Sequence, residues 1–119
     1  MPLASPISAV LIHVADVSAA LSWYQAAFPG AVPQYLADFD FTFLQIGPVS
    51  LELVPADEKV GAGPAGSIVY WAVEDFDASL AHFLSLGAVL YRGPLAIQDG
   101  LRMAQVRDPW GNCIGLRGA

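Results

Sequence analysis

The chain has 119 residues, 55% of them hydrophobic and only 13% charged; this is room for one ordinary domain with a substantial core, and it excludes a disordered chain or a second catalytic domain. Eleven acidic against five basic residues give a formal charge of −6, and Lys59, Arg92, Arg102, Arg107 and Arg117 form no run that neutralises several phosphates, which speaks against nucleic acid as a partner. No stretch reaches the ~18 to 20 uninterrupted apolar residues of a membrane helix.

Met1 to Val14 carry no basic residue ahead of their apolar stretch, so no secretory signal is expected and the cytoplasm is the expected location. Cys113 is the single cysteine, which excludes an internal disulfide and a multi-cysteine zinc site. The acidic balance suits a cationic ligand, and it equally serves solubility.

In chain order, Ile7 to Val14 reads as an apolar, β-branched strand. Asp16 or Ser18 caps a helix running to Phe28, with Ala20, Leu21, Tyr24 and Phe28 at three- and four-residue spacings. The stop at Phe28-Pro29-Gly30 leads to strands at Val32 to Leu36, Phe41 to Ile46 and Val49 to Val54, the last two joined at Gly47-Pro48. Pro55 to Gly66 is rich in Gly, Pro and charge and reads as a solvated linker. The plan then repeats. Strand Ser67 to Val73 precedes a helix from about Asp77 to Leu86, stopped at Gly87, and strands Val89 to Tyr91, Arg102 to Arg107 and Asn112 to Arg117 follow.

The repetition is explicit in the residues. Val14-Ala15-Asp16 and Ala19-Ala20-Leu21 align with Val73-Glu74-Asp75 and Ala78-Ser79-Leu80 at an offset of 59, and Trp23-Tyr24 faces His82-Phe83. The expected fold is therefore α+β: two βαβββ modules, about 5–54 and 67–117 with linker 55–66, forming a curved mixed sheet around a cleft with the helices outside. Alternation places Val10, Ile12, Val14, Val49, Leu51 and Leu53 under a helix, leaving Ala9, Leu11, His13, Ser50, Glu52 and Val54 for the cleft. In the second module Cys113, Gly115 and Arg117 point inward. Ile68, Tyr70 and Ala72 join them, or a bulge exchanges that set for Ser67, Val69 and Trp71. Phe39, Phe41 and Phe43 are expected to share one face.

The V-x-D-x-x-x-A-L-x-W-Y pattern of the first helix and Asp108-Pro109-Trp110-Gly111-Asn112 before the final strand resemble the vicinal oxygen chelate superfamily. That superfamily includes glyoxalase I, extradiol dioxygenases, methylmalonyl-CoA epimerase, fosfomycin-resistance enzymes and bleomycin-binding proteins, and the resemblance covers about Ile7 to Leu116. It implies a divalent metal held by donors at four inward positions. In this chain those positions fall on Ala9, Glu52, Ile68 (or Ser67) and Gly115, so three of the four lack a family donor. No cofactor or metal is therefore expected. Metal-dependent catalysis is disfavoured, while catalysis as such is left open.

The reading that follows is a metal-free protein, similar to bleomycin-binding proteins, that sequesters a small aromatic or cationic ligand. Its contact residues are expected among His13, Glu52, Phe41, Phe43, Tyr70, Trp71, Trp110 and Arg117. Glu52 either pairs with His13 or Arg117, holds a cation, or acts as a general base. His13 is a hydrogen-bonded pocket histidine or a ligand contact; His82 is structural, and Cys113 is a buried strand residue. The resemblance also implies a homodimer. The alternative is a lyase, isomerase or dioxygenase-type enzyme with a non-standard site around His13 and Glu52.

Overall fold

Asp16 and Asp75 hold equivalent places in the repeat and do the same work. Each accepts a backbone N–H three residues on, Ala19 to Asp16 Oδ1 and Ala78 to Asp75 Oδ1, both at 3.0 Å. The carboxylate thus satisfies a donor with no intrahelical partner, and a helix starts at the next residue. The computed structural model describes residues 7–119, and they form two compact units, one ending at Gly61 and one spanning Ala62–Ala119.

The first unit runs β1 (Ala9–Val14), α1 (Val17–Ala27), β2 (Val32–Leu36), a 3-10 turn at Ala37–Phe39, β3 (Phe41–Ile46) and β4 (Val49–Pro55). The second runs β5 (Tyr70–Val73), α2 (Phe76–Ser85), β6 (Val89–Ala96), a 3-10 turn at Gln98–Gly100, β7 (Arg102–Arg107) and β8 (Cys113–Gly118). The sheets have matching orders, β1-β4-β3-β2 and β5-β8-β7-β6, with the first pair parallel and the others antiparallel. Two tandem βαβββ modules of an α+β fold result.

Register decides which face each side chain joins. In the first module Val10 opposes Leu51 and Ile12 opposes Leu53. Leu51, Leu53 and Leu44 are buried together with Val14, Ala20 and Tyr24, so this is the face under α1. In the second, Ala104, Val106, Ile114 and Leu116 are buried with Phe76 and Phe83 of α2. Each large apolar side chain so buried contributes about 1.5 to 3 kcal/mol of transfer free energy. The opposite face of each sheet is left without a helix of its own module.

Several boundaries move, each for a local reason. Helix α1 ends at Ala27 ahead of Pro29, and Gly30 takes no left-handed conformation. Helix α2 does use its glycine, since Gly87 sits at φ +92° while its N–H donates to the Leu84 carbonyl. Strand β5 is shorter than expected because pairing with β8 begins only where the Val69 carbonyl accepts the Gly115 N–H. Strand β6 is longer, crossing Gly93-Pro94 as an edge strand whose register shifts twice. Phe39 leaves the face expected for it. The 3-10 turn and the left-handed Asp40 (φ 47°) break the alternation before β3, leaving Phe39 78% exposed.

Candidate functional site

On the open face of the first module, Ala9 opposes Ser50, Leu11 opposes Glu52 and His13 opposes Val54. Period-two alternation adds Phe41, Phe43 and Gln45, the last opposite Ser50. Glu52 is half-buried, and its Oε2 accepts the Ser50 hydroxyl at 2.9 Å. Phe41 and Phe43 stack with ring centroids 6.4 Å apart and planes 22° from parallel. A carboxylate oriented by a hydroxyl thus shares a face with His13 and a pair of aromatic rings, groups whose chemistry is that of cation and π-stacking contacts.

The second module settles the register left open between Ser67 and Val73. Tyr70 opposes Gly115 and Trp71 opposes Leu116, so Tyr70 is on the open face and Trp71 on the face under α2. Tyr70 lies over Gly115, where a Cβ would come within 2.5 Å of its Cδ1 atom. Its hydroxyl accepts from Gln105 Nε2 at 2.7 Å, and the Arg117 guanidinium stands 5.2 Å from the ring centre. The Gln105 amide oxygen in turn accepts from the Cys113 thiol at 3.5 Å. Burial pushes that thiol above its ordinary value of 9.0, against the opposing pull of Arg107 and Arg92 and with a smaller push from Asp108.

Trp110 belongs to the turn between β7 and β8. Asp108, 5% exposed, accepts the N–H groups of Trp110 and Asn112 on one carboxylate oxygen at 2.9 and 2.8 Å, and its backbone N–H donates to the Asn112 carbonyl. Gly111 closes the turn at φ +88°. The Asn112 side-chain oxygen accepts the Gly63 N–H at 3.0 Å, tying the start of the module to this turn. The Asp-Pro-Trp-Gly-Asn motif is thus a folded device for launching β8.

The eight candidate residues accordingly divide. His13, Glu52, Phe41 and Phe43 share the first module's open face, Tyr70 and Arg117 share the second's, and Trp71 and Trp110 join neither set. A depression of about 220 Å³ lined by Tyr35 to Phe39 includes none of the eight. Gln105 and Ser50 orient Tyr70 and Glu52 and are additions to the predicted set. Alternation marks Gln105 in the sequence, because Ala104 and Val106 beside it are the small and branched residues a helix covers.

Three of the four positions expected to bear metal donors do not supply one, and Glu52 is the exception. Ala9 offers no donor atom, Ile68 lies ahead of β5, and the space a side chain at Gly115 would need is filled by Tyr70. Among the described residues no three His, Cys, Asp or Glu side chains come together to hold a metal. No described helix is long and apolar enough to cross a membrane.

A family model for the glyoxalase/bleomycin resistance protein/dioxygenase superfamily matches residues 7–116. Among solved structures, the chain is similar to a member of that superfamily from Sphaerobacter thermophilus at 16% identity, covering 99% of this chain and 100% of that one with a TM-score of 0.75. It is similar to lactoylglutathione lyase from Agrobacterium tumefaciens at 20% identity, covering 99% and 96% with a TM-score of 0.71. An integron cassette protein from V. cholerae is 18% identical, with 99% and 98% covered and a TM-score of 0.73. At such identities the likeness shows the fold. No curated protein sequence matches the chain.

Proposed function

Because the chain belongs to the glyoxalase/bleomycin resistance protein/dioxygenase superfamily, we propose that it is a metal-independent member that binds and sequesters a small aromatic or cationic molecule on its open sheet faces. The observation that carries this reading is the packing of Tyr70 onto Gly115, which gives a position expected to bear a metal donor to an aromatic ring. With Glu52 the single carboxylate left among those positions, an ion would have to be held against water by one side chain. Glu52, oriented by Ser50 beside Phe41 and Phe43, suits the cationic part of a ligand instead. Exposed Val32, Tyr35, Leu36 and Phe39 support pairing with a second copy of the chain.

Two measurements test the reading. Elemental analysis of protein purified without chelator is expected to find no stoichiometric Ni, Zn, Fe or Mn. A bleomycin-like cation is expected to bind saturably in isothermal titration calorimetry, with affinity reduced by salt and by Glu52→Gln. Stoichiometric metal that disappears in Glu52→Gln would overturn the proposal and favour an enzyme built on His13 and Glu52. Absence of saturable binding across a panel of aromatic cations would also count against it.

A further inference from the structure

Strand β6 departs from regular pairing between Leu90 and Arg92. Leu90 opposes Val106 while Arg92 opposes Gln105, so Tyr91 is the extra residue of a β-bulge. Such a bulge re-aims the side chains it contains. Gln105 lies on the open face, and Arg92 opposite it lies there too; both Tyr91 and Arg92 are exposed. Arg107, two residues along β7 and opposite Cys113, shares this face. Its guanidinium stands 5.5 Å from the centre of the Tyr91 ring, while its Nε donates to the Gly111 carbonyl at 3.0 Å and so fixes the head group.

The charges are distributed unevenly. Residues 62–119 hold four of the five basic residues but five of the eleven acidic ones. Arg102 forms an ion pair with Asp77 at 2.9 Å, on the face under α2. Arg92, Arg107 and Arg117 lie on the opposite face without a carboxylate partner among the described residues, although the chain is acidic overall. Arg92, opposite Gln105, and Arg107, two residues farther along β7, place two guanidinium-bearing residues on one stretch of this face, and the planar donor fork of a guanidinium matches a carboxylate. A net charge of −6 disfavours a multiply charged oxyanion over a monoanion.

We infer that the bulge face of the second module is a subsite for the carboxylate of a small aromatic acid, the carboxylate bridging Arg92 and Arg107 and the ring of the acid lying against Tyr91. This rests on reading the open faces as ligand faces, and it adds an anionic subsite distinct from the cation-accepting surface around Glu52. Tyr91 supplies the aromatic selectivity, being 50% exposed and steadied by the guanidinium beside it.

The test is a nuclear magnetic resonance titration of the full chain with sodium benzoate, inorganic phosphate and benzyltrimethylammonium at constant ionic strength. Benzoate is expected to shift the Tyr91 amide and the Arg92 and Arg107 side-chain Nε–H resonances saturably. Arg92→Gln is expected to weaken that binding about tenfold, the loss of a charge-assisted contact, with Arg92→Lys intermediate. The inference fails if benzoate produces no saturable shift there, or if phosphate or the cation moves the same resonances equally. A cation that shifts Glu52-face resonances while benzoate leaves the bulge silent would overturn this subsite and leave the proposed function standing. Benzoate binding at the bulge with no cation binding near Glu52 would do the reverse.

Discussion

The Tyr70 ring occupies the space that a side chain at Gly115 would need, since a Cβ there would fall 2.5 Å from Cδ1 and 2.7 Å from Cγ. Gly115→Ala is therefore expected to destabilise the protein by about 1 to 3 kcal/mol, the usual cost of overpacking. Gly115→Glu costs more and gains no stoichiometric metal. Combining Gly115→Ala with Tyr70→Ala removes the clash, so the double variant is expected to be more stable than the sum of the single losses implies. A double-mutant cycle from urea unfolding measures that coupling; strict additivity would show that the ring and residue 115 do not compete.

Asp108 is nearly inaccessible, and one of its carboxylate oxygens receives two backbone N–H groups. Removing it leaves those donors unpaired in a half-buried turn, so Asp108→Ala is expected to cost about 1 to 3 kcal/mol. Asp108→Asn keeps an acceptor and is expected to lose less. Because the turn also anchors Gly63 through Asn112, Asn112→Ala is expected to increase amide exchange at Gly63 while the helices keep their protection. Equal stability of Asp108→Ala and the parent would contradict this account of the motif.

Much of this architecture is legible in the sequence because it rests on local rules. Asp16 and Asp75 announce their helices, and the alternation of Val10, Ile12, Leu51 and Leu53 announces the packed face. Pairing events between strands are less legible. Whether Tyr70 or Trp71 faces the open side depends on where β5 begins to pair with β8, and nothing in Ser67 to Trp71 encodes that start. The bulge at Tyr91 is equally silent, since an extra residue in an edge strand leaves the hydrophobic pattern of Val89-Leu90-Tyr91 intact. Phe39 fails for a third reason, because the left-handed turn at Asp40 resets the alternation on which its face was predicted.

The Arg102 guanidinium holds the Asp77 carboxyl below its ordinary value of 3.8. A carboxyl whose folded-state value is depressed contributes stability that is fully present above the unfolded value and is lost as pH falls through the folded one. Asp77→Asn is therefore expected to be less stable than the parent at neutral pH, with the difference shrinking below pH 3.8. Both partners are solvated, so added salt should also narrow the gap. Thermal unfolding of the two proteins across this pH range checks both trends; a gap that persists unchanged into strong acid would show that the charge of Asp77 is not its source.

Cys113 offers a chemical reading of the second module's open face. Burial raises its thiol above 9.0, while Arg107 and Arg92 pull it down by favouring the thiolate. Since the thiolate is the nucleophile, alkylation by iodoacetamide is expected to reach half its limiting rate above pH 9.0. Arg92→Gln removes one of the cations that lower the thiol's value, so its inflection should lie higher still. Replacing Arg92 with Lys retains the charge and should leave the inflection near that of the parent. A rate profile with its midpoint at or below 9.0 would mean that the guanidinium field outweighs burial, and one that Arg92→Gln leaves in place would mean that the field of Arg92 does not reach the sulfur.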